Sequence, residues 1–146
     1  MNTSETISEV SAAFVLAQSE FDGISKDSTN PFFNSRYADI NNVLDMVLPV
    51  LAKHGLAVMQ LPAPTTKGVR LQTVLLHASG EWIADECLDI VAPKDDPQGY
   101  GQAITYGRRY SLLSVLGLRT EDDDANSSVA AMSKVEQARL AARSKA

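Results

Sequence analysis

The chain has 146 residues, of which 45% are hydrophobic and 21% are charged, as is ordinary for a globular domain with a real core. No apolar run approaches the length of a membrane span, and no basic stretch followed by an apolar one marks a signal peptide. Cys87 is the only cysteine, which excludes an internal disulfide and predicts a reducing, cytoplasmic setting.

The formal net charge of −5 is unevenly distributed along the chain. Residues 1–22 and 121–124 together hold eight of the 18 acidic side chains. A local array of basic side chains matters more to a nucleic-acid partner than the total charge does. The acidic total therefore does not exclude such a partner. The candidate basic array consists of Lys26, Arg36, Lys67, Arg70, Arg108 and Arg109.

A first helix is predicted over residues 5–21, where apolar residues repeat at helical spacing. Thr6 and Glu9 have the spacing of a capping box, which indicates where this helix begins. Residues 22–38 contain a glycine, a proline and several asparagines and serines, and they predict a loop.

A second helix is predicted from the apolar residues between Ile40 and Leu51, and Gly55 ends it. Pro49 lies inside this helix, and an interior proline kinks a helix at a cost of about 3 kcal/mol. We therefore expect a bend or a break near Asp45.

Three strands and a third helix follow. Residues 56–62, 69–76 and 82–91 predict an antiparallel three-stranded meander, and residues 98–117 predict a helix. The fold class is therefore α+β, with two helices preceding the sheet and helices packed on one of its faces. On the third strand we expect one side to carry Trp82, Ala84, Glu86, Leu88 and Ile90.

The third helix carries the most unusual segment of the chain, residues 98–112, in which tyrosines flank two adjacent arginines. A buried arginine needs an anion, either a carboxylate of the protein or an external phosphate. Adjacent helical residues point about 100° apart, so we expect one of Arg108 and Arg109 to bind phosphate and one to be structural. Tyr106 and Tyr110, beside an apolar leucine, are interpreted as core residues.

Other chemistries are weaker readings of the sequence. Gly99-Tyr100-Gly101 matches neither a dinucleotide fingerprint nor a phosphate loop, and it indicates close approach of the backbone to a neighbour or to a phosphate. The carboxylates of residues 121–124 suit Mg²⁺, although a solvated tail or an arginine partner is the favoured reading. Cys87 alternates with apolar neighbours and is interpreted as a small core residue.

Four segments, occurring together and in order over roughly residues 5–126, resemble the ERF (essential recombination function) family of bacteriophage recombination proteins, which anneal complementary single strands. They are residues 30–40 (NPFFNSRYADI); Leu48-Pro49 with Lys53-His54-Gly55-Leu56; Leu71-Gln72-Thr73 with His77 and Ser79-Gly80-Glu81; and Gln98, Gly101, Ile104-Thr105-Tyr106 and Arg108-Arg109-Tyr110, followed by Leu116-Gly117-Leu118 and the acidic run from Glu121 to Asp124.

The resemblance implies a β-β-β-α core that assembles into homo-oligomeric rings or filaments in the host-cell cytoplasm. It implies binding of single-stranded DNA along a basic groove during recombination and repair, with neither catalysis nor a nucleotide cofactor. No metal is required, although magnesium modulates pairing by screening phosphates. Further expected partners are an exonuclease or a single-strand binding protein of phage or host, and no membrane.

Residues 1–124 are expected to form the annealing domain, and residues 125–146 a linker with a short basic helix. Phe32 and Phe33 are candidates for base stacking or subunit contact. The candidate DNA-binding residues are Arg36, Tyr37, Lys67, Arg70, Tyr100, Arg108 and Arg109.

Two alternative functions compete with annealing. One is a sequence-independent single-stranded nucleic-acid-binding module without annealing activity. The other is a small metal-dependent nuclease that uses Asp122–Asp124, which is disfavoured because no base or histidine ligand accompanies those carboxylates.

Overall fold

A computed structural model describes residues 1–25, 39–119 and 142, with side chains described over residues 1–21, 39–119 and 142. Its elements are β1 (Asn2–Thr3), α1 (Ser8–Ser25), α2 (Ile40–Lys53), β2 (Leu56–Pro64), β3 (Gly68–His77), β4 (Trp82–Ala84), β5 (Leu88–Val91) and α3 (Pro97–Leu116).

Several predicted features lie outside the described residues. They are Lys26, Phe32, Phe33, Arg36, Tyr37, the acidic run 121–124, the linker 125–132 and the basic helix over residues 135–143.

The strands form one antiparallel sheet in the order β1-β4-β3-β2, and β5 pairs with β3 alongside β4. The α+β class is confirmed, but the sheet has five strands instead of the predicted three. Its helical face carries Leu56 and Leu75, which are buried in one cluster with apolar residues of all three helices. The opposite face leaves Met59 and Leu61 exposed.

The predicted third strand is two strands, β4 and β5, because one extra residue interrupts the pairing with β3. Val74 lies opposite Ala84, whereas Leu71 lies opposite Leu88. Such a bulge turns the side chains that follow it to the other face of the sheet. Leu88 therefore lies on the helical face and Ala84 on the opposite one. The prediction of a single side for residues 82, 84, 86, 88 and 90 is wrong.

Asp85 organises this bulge through its side chain. Its carboxylate Oδ1 accepts hydrogen bonds from the backbone amides of Thr73 at 3.1 Å and Cys87 at 3.0 Å. Cys87 has a φ of 75°, in the left-handed region that side chains other than glycine rarely adopt. Cys87 is thus a half-buried bulge residue, and its interpretation as a strand core residue is wrong.

The N-terminus of α1 is capped by a residue that lies far away in the sequence. The Glu81 carboxylate, just before β4, accepts from the Val10 amide at 2.8 Å and from the Thr6 hydroxyl at 2.9 Å. The bond from the Val10 amide satisfies one of the backbone donors that every helix start leaves unpaired. The hydrogen bond from the Val10 amide is the largest cause that lowers the pKa of Glu81. The cap therefore comes from Glu81 and not from Glu9.

Helix α2 runs from Ile40 to Lys53 without interruption, so of the bend or break expected near Asp45, the break is absent. Asp39 caps its start by accepting from the Asn42 amide at 2.8 Å. At its other end, the Glu20 carboxylate of α1 accepts from Lys53 Nζ at 2.9 Å. The Lys53 hydrogen bond is the main cause that lowers the pKa of Glu20.

Helix α3 packs closely on the sheet through small residues at every fourth position. Gly99, Ala103, Gly107 and Ser111 are all buried. A Cβ atom on Gly107 would lie 2.5 Å from Ile90 Cδ1, and one on Gly99 would collide with the backbone of Lys94. The missing side chains thus let the helix backbone approach its neighbours.

Two glycines of α3 offer a matched test of this packing. No described residue lies within 4 Å of a Cβ on Gly101, so Gly101→Ala should stabilise the protein by about 0.4–1 kcal/mol through helix propensity. Gly99→Ala should destabilise it by about 1–3 kcal/mol, because the backbone of Lys94 must move to make room for the new Cβ atom. Urea denaturation of both variants measures the difference. Equal effects of the two substitutions would contradict the close approach at Gly99.

The Glu81 cap predicts a pH dependence of stability. The pKa of Glu81 in the folded state lies below its ordinary value of 4.5, so the stabilisation is complete above that value and is lost as the pH falls through the lowered pKa. Glu81→Gln should therefore lower the melting temperature at pH 7 and converge with wild type in acid. Circular-dichroism melts from pH 7 to about pH 3 test this. Glu5→Gln, at an exposed position, is the control. A difference in melting temperature between Glu81→Gln and wild type that persists unchanged in acid would contradict the cap.

Candidate functional site

The outer surface of α3 carries an exposed aromatic pair. Tyr106 and Tyr110 lie one helical turn apart and are 55% and 37% exposed. Their ring centroids are 4.3 Å apart and their planes are inclined by 40°. The interpretation of these tyrosines as core residues is wrong, because the stripe of small residues from Gly99 to Ser111 takes the sheet-facing position.

Arginine side chains adjoin this aromatic pair. The guanidinium carbon of Arg109 lies 5.3 Å from the ring centroid of Tyr110, within the range of a cation–π interaction. Arg108 and Arg109 are both half-buried. The backbone carbonyl of Arg108 accepts a hydrogen bond from Gln60 Nε2 at 3.0 Å. The division of the two arginines into a phosphate ligand and a structural residue stays a prediction.

A chain of hydrogen bonds, buried at its centre between Thr73 and Ser111, holds α3 on the sheet. Besides the Arg108 carbonyl, Gln60 Nε2 contacts Thr73 Oγ1 at 3.2 Å, and Thr73 Oγ1 lies 2.5 Å from Ser111 Oγ. Ser111 Oγ in turn donates to Asp85 Oδ2 at 3.1 Å. Because an ionised carboxylate only accepts, the donors run in one direction, from Gln60 to Asp85. We call this the Gln60–Asp85 chain.

The Gln60–Asp85 chain sets the rotation of α3 about its own axis. It joins strand β2, the fully buried Thr73 of β3 and the bulge to one helical residue, Ser111. A rotation that turned Ser111 away would leave buried polar groups unpaired, at about 1–3 kcal/mol each. This network was not predicted from the sequence. The signal for it is that the polar Gln60 and Thr73 share the helical face of the sheet with the apolar Leu56 and Leu75.

A cavity of about 700 Å³ separates one flank of α3 from the start of α2. We call it the α2–α3 pocket. The α3 flank contributes four polar side chains at helical spacing, and α2 contributes its capping residue and first residue. The pocket is lined by Asp39, Ile40, Gln98, Gly101, Gln102, Thr105, Tyr106 and Arg109.

The predicted basic hairpin does not lie on the same face as α3. Arg70 pairs across the strands with Asp89, with Nε–Oδ1 and Nη2–Oδ2 distances of 2.7 and 2.8 Å. The Arg70 hydrogen bond is the largest cause that lowers the pKa of Asp89. Arg70 alternates with the buried Leu71, which faces α3, so the sheet separates Arg70 from Arg109. Lys67 is exposed in the turn before β3.

Tyr100 is tied to the loop before α3. Its hydroxyl donates to Asp95 Oδ1 at 3.0 Å, and this hydrogen bond is the largest cause that raises the pKa of Tyr100. The side chain is half-buried. The structure therefore places Tyr100 at the start of α3, engaged with its own protein chain.

The described residues contain neither a metal-binding cluster nor a membrane-spanning helix. Over residues 1–25, 39–119 and 142, no group of three or more histidine, cysteine, aspartate or glutamate side chains could hold a metal ion. In the same part of the chain, no helix is both long and apolar enough to cross a lipid bilayer.

The fold and this surface define an α+β protein with an aromatic and basic face on its last described helix. The model of the ERF superfamily matches residues 10–146, and the chain belongs to that superfamily. The family is one of recombination proteins that act by single-strand annealing. Neither the curated proteins nor the solved structures contain a match to this chain.

Proposed function

We propose that this protein binds single-stranded DNA along the outer surface of α3 and anneals complementary strands without ATP. The observation that carries the proposal is the exposed pair Tyr106–Tyr110 with Arg109 beside it. An apolar ring left in solvent contributes little to the fold, whereas a base stacked on it gains about 1–3 kcal/mol whatever its identity. Membership of the ERF superfamily supports the same function.

In the proposed mechanism, an arginine side chain binds phosphate and tyrosine rings stack on bases. Of the two arginines of α3, Arg109 beside Tyr110 neutralises a phosphate, which its planar guanidinium matches bidentately. Tyr106 and Tyr110 hold bases unstacked from one another, so that their pairing edges stay accessible to a second strand. Pairing itself supplies the free energy, and no bond is made or broken by the protein. Binding therefore needs no magnesium, which acts only by screening phosphates.

The alternative is a passive single-strand binder that covers the strand without helping it to pair. It shares the same surface and the same salt dependence, so binding alone does not separate the two functions. The rate at which complementary strands pair separates them.

The proposed reaction takes place in the cytoplasm, where an exonuclease or a single-strand binding protein would supply its substrate.

The aromatic surface makes a quantitative prediction. Tyr106→Ala should weaken binding of an oligothymidine by about 1–3 kcal/mol, the value of one stacked base. Arg109→Ala should lower the log–log salt slope by about 0.7. Fluorescence anisotropy in EDTA measures both. Lys53→Ala, which removes an exposed charge at the far end of α2, is the control and should bind as wild type does.

Annealing itself is tested with two complementary strands that carry a fluorescence-transfer pair. The wild-type protein should pair them faster than the spontaneous rate without nucleotide, and Tyr106→Ala at saturating concentration should be slower. Spontaneous-rate pairing on fully bound strands would leave the passive binder as the function. Cleavage of either strand in magnesium would support the nuclease instead.

The sequence also predicts that Arg70 binds DNA, but Arg70 lies on the face of the sheet away from α3, where its ion pair with Asp89 competes with phosphate. Asp89→Asn should therefore tighten binding about two- to fivefold at low salt, because it frees the guanidinium. The gain should vanish in the double variant with Arg70→Ala. Anisotropy measures both variants. Unchanged affinity of Asp89→Asn would remove Arg70 from the DNA-binding set.

We further propose a head-to-tail homo-oligomer, a ring or a filament. Val15 and Leu16 of α1 are 67% and 56% exposed, and the edge strand β2 exposes Met59 and Leu61. Natural proteins cover or pair such edges, and heterologous contacts close into rings or continue as filaments.

Assembly is tested by light scattering after size exclusion at micromolar concentration. The wild-type protein should be oligomeric, and Val15→Asp should shift it towards the monomer because it buries a charge in the contact. Ser114→Asp, at an exposed position of α3, is the matched control. A strictly monomeric wild-type protein, with and without DNA, would contradict the proposal.

A further inference from the structure

The α2–α3 pocket has the composition of a ligand site and not of a packing gap. Gln98, Gln102, Thr105 and Arg109 follow one another at intervals of three or four residues, so they lie on one flank of α3. That flank faces Ile40 at the start of α2 across a cavity of about 700 Å³. This volume falls within the range of about 300–1,000 Å³ typical of small-molecule sites.

Gly101 gives an independent reason to expect an occupant. Glycine inside a helix is destabilising relative to alanine. The other two glycines of α3 are explained by close packing, against Lys94 at Gly99 and against Ile90 at Gly107. Among the residues that the structure describes, none has an atom within 4 Å of a Cβ on Gly101, and Gly101 lines the pocket. The described part of the fold therefore does not require a glycine there, whereas a ligand seated against the helix backbone would.

The side chains that line the pocket match the parts of a nucleotide. The Tyr106 ring, 55% exposed, can stack on a base. The amides of Gln98 and Gln102 each offer donors and an acceptor, so they can meet the polar edge of any base. Arg109 brings a positive charge that suits the phosphate.

We propose that the α2–α3 pocket binds one unstacked nucleotide of the DNA strand, with its base on Tyr106, its polar edge on Gln98 and Gln102, and its phosphate near Arg109. This inference rests on the proposed binding of single-stranded DNA and adds where one base lies. The base held there on Tyr106 is withheld from pairing, which narrows the accessible bases of the proposed mechanism to those that stack on Tyr110. Each protein subunit would thus anchor the strand at one nucleotide.

The test uses the full chain and a thymidine oligonucleotide with one 2-aminopurine, whose fluorescence is quenched by stacking. Binding should add a short-lifetime component that comes from strands whose 2-aminopurine occupies the pocket. Gly101→Leu fills the pocket and raises helix propensity. It should abolish that component and weaken binding about fivefold to 150-fold, the range of one stacked base, without lowering the melting temperature.

Ala52→Leu is the matched control, because it places the same side chain at an exposed position of helix α2, away from the pocket and from the outer surface of α3; it should keep both the affinity and the short-lifetime component. If Gly101→Leu does not fold, Gln102→Ala takes its place, since it removes only an amide, and it should reduce the component. A folded Gly101→Leu variant with wild-type affinity and an unchanged component overturns the pocket while the proposed function stands. A wild-type protein that does not bind the oligonucleotide overturns both.

Discussion

The hydrogen-bond chain from Gln60 to Asp85 is the constraint on which the arrangement of the surface depends. It joins an edge strand, the central strand and a bulge to one serine of α3. Each member is a donor or an acceptor that would cost about 1–3 kcal/mol if left buried and unpaired. Removing one member therefore affects the others, and the helix has one rotation in which all are satisfied.

That rotation decides what α3 shows to solvent. With Ser111 turned to the sheet, Gly107 and Gly99 follow on the same side and allow close approach. Tyr106 and Tyr110 then lie outside the core, next to Arg109. A helix that packs through small residues can leave its large aromatic residues outward, and this surface is the physical basis of the proposed binding to single strands.

Local patterns predicted much of the fold. Helical spacing located α1, α2 and α3 to within a few residues, and strand alternation located the β2–β3 hairpin. The bulge was not predictable from alternation, because it depends on a hydrogen bond that the Thr73 amide, on another strand, donates to the Asp85 carboxylate. The Glu81 cap is likewise a long-range contact, made 71 residues away from Val10.

The candidate site was predicted in part. The segment around Arg108 and Arg109 was identified, but the tyrosines were assigned to the core because large apolar residues were expected to face inward. Small residues recur at every fourth position of α3, at Gly99, Ala103, Gly107 and Ser111. This spacing indicated that the small residues face the sheet and that the tyrosines face solvent. Side chains alternate between the two faces of a strand. This alternation along β3 could have shown that Arg70 lies on the opposite face from Leu71, and so away from α3.

Photochemical cross-linking of the full chain to an oligonucleotide of 5-iodouracil, with the attached residues mapped by mass spectrometry, tests the proposed binding surface most directly. We predict cross-links at Tyr106 or Tyr110, since iodouracil couples to aromatic rings that stack on it. Cross-links confined to the opposite face of the sheet, at Met59 or Trp82, with α3 unmarked, would contradict it.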